Sequence, residues 1–181
     1  ESGPIIVSGS TGGVGSIAVN ILAKRGYEVH ALSGKADQND YLTGLGAKAV
    51  IDRAEYAEKA RPLGQQIWAG AVDGAGAHTL ANIIANTQYG GVVTACGLAQ
   101  GMDLPSSVAP FILRGVSLVG VDSVYCPVAK RQAAWADLAN EMDISQLSDI
   151  AHTIGLADVE DAAKALMAGT VTGRYLVDVQ K

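Results

Sequence analysis

The fold of this chain is decided by the stretch Val7-Ser8-Gly9-Ser10-Thr11-Gly12-Gly13-Val14-Gly15-Ser16. An apolar run, Pro4 to Val7, precedes its turn, and an amphipathic run, Ile17 to Lys24, follows it. A strand, a glycine turn and a helix in this order are typical of a dinucleotide diphosphate site, because glycines expose the backbone and the first helical N–H groups face the phosphates. The spacing is G-x-x-G-x-x-G, with Ser10 where the common motif has a glycine. A structural turn without a ligand is the alternative.

The composition is that of one globular domain. The chain has 181 residues, of which 49% are hydrophobic and 17% charged, enough to bury a full core. A net charge of −5 without a basic cluster argues against nucleic acid as a partner, and no apolar run reaches the roughly 18 residues of a membrane span. Cys96 and Cys126 form neither a disulfide framework nor a metal-ligand set, so we expect a cytoplasmic protein without a metal site.

Apolar strands alternate with helical patterns along the chain, which predicts an α/β fold, a Rossmann-type doubly wound parallel sheet over residues 1–181. The predicted strands are 4–7, 27–32, 47–52, 67–73, 92–97, 116–121, 150–154 and 174–179, and the predicted helices are 17–24, 37–45, 78–87, 127–142 and 158–167. Ligands of such folds bind beyond the carboxyl ends of the strands. That edge is expected at Ser8 to Gly15, Ser33 to Lys35, Asp52 and Arg53, Asp73 to Gly76, and Cys96 to Ala99.

The end of the second strand indicates which nucleotide is bound. NAD sites place Asp or Glu about 20 residues after the glycines, to bind the ribose hydroxyls. Here Ser33-Gly34-Lys35 stands 18 residues after Gly15. A hydroxyl, a bare backbone and an ammonium group favour the 2′-phosphate of NADPH, and Arg53 could add a second cation. A solvated Lys35 is the alternative, and the nearby Asp37 leaves NAD open.

Familiar motifs of nucleotide hydrolysis and of general acid–base, nucleophilic or metal catalysis are missing from the sequence. The chain has no P-loop, no Tyr-x-x-x-Lys pair, no G-x-S-x-G and no H-x-x-x-H. Asp52 and Asp73 end strands, where hydrogen bonding to loop backbone is the commoner role. The sequence therefore predicts a cofactor site, and its catalytic residues stay unknown.

Several further blocks, in their order along the chain, resemble one enzyme family. They are Ser-Thr-Gly-Gly-Val-Gly-Ser at 10–16, Ser33-Gly34-Lys35, Tyr41-Leu42, Leu45-Gly46-Ala47, Trp68 to Asp73, Tyr89-Gly90-Gly91, Ala95 to Ala99, Pro110 to Val116 and Gly120 to Ser123. Together they resemble the zinc-independent quinone-oxidoreductase branch of the medium-chain dehydrogenase/reductase superfamily, acryloyl-CoA reductase type. The resemblance covers essentially the whole chain.

The resemblance implies a longer protein in which a GroES-like catalytic domain precedes the Rossmann domain. The strand at 174–179 would then belong with that missing N-terminal domain. The family reduces a conjugated enoyl thioester or a quinone with NADPH, and most groups that act on the substrate would lie outside this chain. Members commonly form homodimers by pairing their sixth strands, here residues 116–121.

The resemblance also implies roles for individual residues. Thr11 to Gly15 would bind the diphosphate and Ser33 to Lys35 the 2′-phosphate, although relatives often have arginine where this chain has Lys35. The nicotinamide would lie near Cys96 to Leu98 and near Asp122 and Ser123. The predicted cofactor-binding residues are Ser10, Thr11, Gly12, Gly13, Val14, Gly15, Ser33, Gly34, Lys35, Arg53, Cys96, Gly97, Leu98 and Arg174. A stand-alone NAD(P)-binding sensor or scaffold without catalysis is the alternative function.

Overall fold

Six parallel strands form the main sheet of the computed structural model, which describes residues 3–142 and 144–181. Their order is β3-β2-β1-β4-β5-β6, the order of the Rossmann fold, and the predicted fold class is confirmed. The strands are β1 (Ile5–Ser8), β2 (Val29–Ser33), β3 (Ala49–Asp52), β4 (Trp68–Asp73), β5 (Thr87–Ala95), β6 (Ser117–Gly120), β7 (Ala151–Gly155) and β8 (Arg174–Asp178). The helices are α1 (Gly13–Lys24), α2 (Asn39–Gly44), α3 (Ala77–Ala85), α4 (Ala109–Arg114), α5 (Val128–Glu141), α6 (Ile144–Ile150) and α7 (Val159–Met167). Of the described helices, none is both long and apolar enough to cross a membrane.

The centre of the sheet is buried on both faces, as its continuous apolar strands predict. Ile6 and Val7 are consecutive residues of β1, point to opposite faces and are both fully buried. On one face the core contains Ile6, Leu32, Tyr56, Trp68, Ala71, Leu80, Ile83, Ile84, Val93 and Val116. On the other it contains Val7, Val19, Val29, Ala31, Leu42, Leu45, Ala47 and Ile150. Helix α3 covers the core on the Ile6 face, and helices α1, α2 and α6 cover the core on the Val7 face.

The structure corrects several predicted element boundaries. Strand β5 begins at Thr87 rather than at residue 92, because Thr87 pairs with Trp68 before a register shift that places Gly90 and Gly91 inside the strand. Pro127 precedes α5 as its N-cap instead of lying in its first turn. Ile150 ends α6 and is not part of β7.

Two short helices were not predicted. Helix α4 has a proline near its start and ends at Gly115, which has a left-handed backbone, but six residues are too few to show a helical period. Helix α6 has seven residues and lacks an acidic first turn or a basic last turn. Both helices lie in stretches that contain apolar residues but are too short to show them at helical spacing.

The last two strands of the chain are not part of the main sheet. Strands β7 and β8 form their own two-stranded parallel sheet, and α7 connects them. Helix α5 buries none of its side chains and is tied to α1 by an exposed ion pair, Arg25 to Glu141, at 2.7 Å. The assignment of residues 174–179 to a second domain stays a prediction.

One face of the main sheet is incompletely covered. On the side of α1, a cavity of about 330 Å³ lies over β1, β4 and β5. It is lined by apolar side chains that include Ile5, Tyr27, Val72 and Val92. We call this cavity the face cleft.

The glycine turn packs its backbone directly against the first turn of α1. A Cβ atom at Gly15 would collide with the carbonyl oxygen of Gly9 and lie 2.7 Å from the Cα of Ser10. Gly9 itself has φ = 60°, a backbone that favours glycine. This close approach sets the position at which α1 begins.

We predict that Gly15→Ala lowers the free energy of unfolding by about 2 kcal/mol, because the added methyl group has no space beside the Gly9 backbone. Gly44→Ala is the matched control, since a Cβ there meets nothing within 4 Å and its backbone is helical. That variant should gain about 0.5–1 kcal/mol. Urea unfolding followed by circular dichroism measures both, and equal midpoints for Gly15→Ala and the parent chain would contradict the close approach.

Candidate dinucleotide site

A cleft opens at the carboxyl edge of the main sheet, where the sequence places the ligand. It comprises two adjoining cavities of about 370 and 210 Å³, which we call the edge cleft. Its charged lining residues, among those that the structure describes, are Lys35, Arg53 and Arg174, and no carboxylate is among them. Three positive charges therefore converge in a chain whose net charge is −5. Such a cleft attracts and holds an anionic ligand.

The floor of the edge cleft is the glycine turn and the start of α1. The Gly12 N–H donates to Gly9 O at 2.9 Å, which closes the turn, and α1 begins at Gly13. The first N–H groups of a helix have no intrahelical acceptor, and the first turn of α1 has no acidic side chain to compete with a ligand. Thr11 and the run from Gly12 to Gly15 line the cleft, so the structure brings these predicted residues together.

Buried side chains hold the glycine turn in place from behind. The Ser16 hydroxyl lies 2.8 Å from Gly12 O and 3.1 Å from Ser10 O, and it accepts a hydrogen bond from Tyr41 at 2.8 Å. Burial raises the pKa of Tyr41, while the hydrogen bond to Ser16 acts in the opposite direction. Tyr41 therefore stays a protonated donor at neutral pH.

Ser10 has a different position from its neighbours. Its side chain is fully buried, and its hydroxyl donates to Leu32 O at 3.0 Å. This bond fastens the turn to β2 and directs the hydroxyl away from the edge cleft. A cofactor contact through Ser10 stays a prediction, and the geometry assigns its side chain to positioning the turn.

The residues predicted for the 2′-phosphate lie together at the end of β2. The Lys35 N–H donates to Ser33 Oγ at 3.1 Å, and a Cβ at Gly34 would lie 2.9 Å from a guanidinium nitrogen of Arg53. The Lys35 ammonium donates to the backbone oxygen of Val171. Burial lowers the pKa of Lys35; the charge of Asp37 opposes this change and that of Arg53 adds to it.

The carboxylates near the edge cleft are used for structure. Asp73 is fully buried, accepts from Ser8 Oγ at 2.5 Å and from Gly76 N at 2.8 Å, and so shapes the loop after β4. Asp52 accepts from Ala54 N at 2.9 Å and lines a neighbouring cavity of about 170 Å³. Asp37 is exposed, accepts from Gln38 at 3.0 Å and is not part of the lining of the edge cleft. The expected structural roles of Asp52 and Asp73 agree with this geometry.

The end of β5 forms the far wall of the edge cleft. Cys96 and Gly97 line it, and Gly97 approaches Gly74 so closely that a Cβ would lie 2.6 Å from Gly74 O. The Cys96 thiol donates to Asp73 O at 3.2 Å. Partial burial raises the pKa of the Cys96 thiol, and the negative charge of Asp73 adds to this effect. Leu98 follows, is 58% exposed and does not line the cleft.

Arg174 reaches the start of α1 from β8. A Cβ at Gly13 would overlap the Arg174 guanidinium group, so the two are in direct contact and a side chain at this position would have to displace the guanidinium. Gly169 and Val171 also line the edge cleft, although the sequence did not predict them there. The only signal for them was the pair of glycines at 169 and 173, which marks the end of one element and the start of the next.

A family profile described as "Zinc-binding dehydrogenase" matches residues 13–143. The chain belongs to this family. Among the described residues, no group of three His, Cys, Asp or Glu side chains is placed to hold a metal ion. Zinc independence stays a prediction.

Three curated relatives in the family are similar over almost the whole chain. A probable acrylyl-CoA reductase of Escherichia coli is 46% identical over 99% of this chain and 55% of its own length. An acrylyl-CoA reductase of Ruegeria pomeroyi is 44% identical over 98% and 54%, respectively. A putative quinone oxidoreductase of Bacillus subtilis is 44% identical over 98% and 54%. The chain thus spans about half the length of these relatives, and the recognised resemblance is confirmed.

Solved structures of the family agree with the fold. An oxidoreductase of Salmonella enterica in complex with NADP has a TM-score of 0.96 and 48% identity, covering 98% of this chain and 55% of that one. An E. coli protein with bound NADPH has a TM-score of 0.95 and 46% identity over 97% and 54%. A B. subtilis protein with NAD bound has a TM-score of 0.92 and 42% identity over 99% and 55%.

We predict that Cys96 reacts with iodoacetamide more slowly than a free small thiol at pH 8, because its raised pKa leaves less thiolate at that pH. The rate should keep rising with pH beyond the point at which the small thiol levels off. Mass spectrometry in a Cys126→Ser background measures the modification of Cys96 alone. Alkylation at the rate of the small thiol across pH 7–10 would contradict the raised pKa.

Proposed function

We propose that residues 1–181 form the NADP-binding Rossmann domain of an NADPH-dependent oxidoreductase. The observation that carries the proposal is the edge cleft itself. Its lining combines three cationic side chains with the first residues of α1, whose N–H groups have no intrahelical acceptor. A side chain at Gly97 would collide with the Gly74 backbone, and one at Gly13 would have to displace the Arg174 guanidinium, so both glycines keep this backbone bare. Those features fit the diphosphate and the extra phosphate of the dinucleotide.

NADPH is favoured over NADH by the end of β2. Ser33, Lys35 and Arg53 supply one hydroxyl and two cations where an NAD site presents a carboxylate. A 2′-phosphate gains charge-assisted hydrogen bonds from such groups. The relatives of E. coli and S. enterica with NADPH or NADP support this choice, whereas the B. subtilis relative with NAD makes NADH the necessary competitor in any test.

The proposed substrate is a conjugated enoyl thioester of the acryloyl-CoA type, or a quinone, as the names of the relatives suggest. Bound NADPH would supply a hydride to the β-carbon of the thioester, and a proton would complete the reduction at the α-carbon. This chain would hold the cofactor through Thr11 to Gly15. The nicotinamide ring would lie near Cys96 and Gly97. The groups that polarise and protonate the substrate would come from an N-terminal catalytic domain of GroES-like fold, with which β8 would associate.

The cytoplasm is the proposed location, because NADPH-dependent reductions take place there and a reducing environment keeps Cys96 and Cys126 as free thiols. The sensor or scaffold alternative makes a different prediction for the longer protein. It would bind nucleotide but show no NADPH oxidation with acryloyl-CoA or a quinone once the N-terminal domain is present.

We predict that the chain binds NADPH at least about tenfold more tightly than NADH, a difference of about 1.4 kcal/mol. Lys35→Ala should remove most of this preference, because the variant loses an ammonium group next to the 2′-phosphate. Titration of each nucleotide, followed by nicotinamide fluorescence, gives both dissociation constants.

Lys48→Ala is the matched control, since Lys48 is exposed and lies before β3, at the opposite edge of the sheet. It should leave both affinities unchanged. Equal affinity of the parent chain for the two nucleotides would overturn the role of Ser33 to Lys35. Absence of binding by either nucleotide would overturn the proposed cofactor site in this chain.

We further propose that two chains pair through β6 to form a homodimer. Strand β6 is the last strand of the main sheet, and its only neighbour among the described strands is β5. Val119 of β6 has an exposed side chain, as do Val108 and Ile112 in the preceding α4 region. An uncovered apolar edge is a site at which another strand pairs.

We predict that Val119→Lys shifts the chain from dimer to monomer, because pairing two copies would bring two ammonium groups into an apolar interface. Sedimentation velocity at several protein concentrations measures the shift. Val177→Lys, an exposed valine in β8 away from this edge, is the control and should leave the sedimentation coefficient unchanged. A parent chain that sediments as a monomer at all concentrations would refute the pairing.

A further inference from the structure

A short segment of the C-terminal unit crosses the edge cleft. Residues 168–174, which we call the strap, connect the end of α7 to the first residue of β8. Four of them, Ala168, Gly169, Val171 and Arg174, line the cleft, although the strap lies outside the main sheet. The cleft is therefore shared between two structural units of the chain.

The strap is anchored to the glycine turn by its backbone. The Gly173 N–H donates to Thr11 O at 2.7 Å, and Gly173 forms a parallel bridge with Gly12. Gly173 has φ = 75°, and a Cβ there would collide with Ile150 O. Only glycine meets both conditions, so the far end of the strap is held firmly against the turn.

Two of the three cations of the cleft depend on the strap. Arg174 is part of it and lies on Gly13. Lys35 is 136 residues away from Val171 in sequence, yet its ammonium donates to the Val171 backbone oxygen. The strap thus holds the tip of a long side chain whose backbone lies two residues after β2.

We propose that the strap determines NADPH selectivity by holding the Lys35 ammonium in position for the 2′-phosphate. This inference rests on the proposed function, because it concerns the same nucleotide site. A free lysine side chain samples many rotamers, and ordering it costs part of the binding energy that it provides. An ammonium group has three donors, and Val171 O occupies one of them. Two donors stay available for phosphate oxygens.

Gly169→Ala is the variant that displaces the strap gently. Gly169 has φ = 70°, which strains an alanine, while its Cβ would meet nothing within 4 Å. Gly26→Ala is the matched control, because Gly26 has φ = 84°, equal space around its Cβ and a position after α1 that is not part of the edge cleft. Both glycines follow a helix, so the two variants carry the same kind of backbone strain.

The test is a double-mutant cycle on the ratio of NADH to NADPH dissociation constants. Gly169→Ala should lower this selectivity about fivefold, at the low end of typical coupling between sites, and Gly26→Ala should leave it unchanged. In a Lys35→Met background, Gly169→Ala should change the ratio by less than about twofold, since the strap then has no ammonium to position. A methyl group that merely obstructed the nucleotide would act equally in both backgrounds.

Hydrogen exchange of the nucleotide-free chain gives an independent readout. Lys35→Met should speed exchange at the amides of residues 168–174, and Lys48→Met should not. Suppose that the parent chain prefers NADPH but Gly169→Ala leaves the ratio of dissociation constants unchanged, or lowers it equally in the Lys35→Met background. Either result would overturn the role of the strap and leave the proposed function standing. A parent chain that binds neither nucleotide overturns the proposed function, and unchanged exchange in Lys35→Met overturns the hold of the strap on Lys35.

Discussion

The close approach between the glycine turn and the first turn of α1 is the constraint on which the rest of the site depends. The backbone of Gly9 lies where a side chain at position 15 would need to be, so the helix begins directly beside the end of β1. This brings the open N–H groups of α1 to the carboxyl edge of the sheet. The same turn supplies Thr11 O, the acceptor that anchors the C-terminal unit. One steric condition therefore positions both the floor of the cleft and the segment that crosses it.

Charge is distributed unevenly over the molecule. The chain has 18 acidic and 13 basic residues, yet the lining of the edge cleft contains three cations and no carboxylate among the described residues. The nearest acids are removed from the cleft by their own hydrogen bonds, as Asp73 shows with Ser8 and Gly76. The buried Asp73 carboxyl group is stabilised by these neutral donors. The charged side chains that line the cleft are Lys35, Arg53 and Arg174, and the charge of Asp37 acts on Lys35 from outside the lining.

The main sheet is predicted well from the sequence because each strand is marked by residues within the strand itself. Apolar runs such as residues 4–7 and 67–73 are long enough to identify strands, and parallel strands leave only one edge for a ligand. The contact of Arg174 with Gly13 and that of Lys35 with Val171 depend on how the β7–α7–β8 unit sits against the sheet. No periodicity within either segment contains that information. Ser10 shows the opposite case, in which a residue at the expected place turns its side chain inward to Leu32.

The face cleft has a practical meaning for assays of this chain. Its wall is mainly apolar, with Arg25 and Thr94 as its charged and polar members, and it lies over β1, β4 and β5. The cations of the carboxyl edge are not part of its lining. Any compound that binds a folded protein and not the unfolded chain raises the melting temperature, wherever it binds. An apolar compound seated between Ile5 and Val92 would therefore stabilise the protein without entering the nucleotide site. Thermal shift alone cannot assign a compound to one of these clefts, whereas competition with NADPH reports on the charged one.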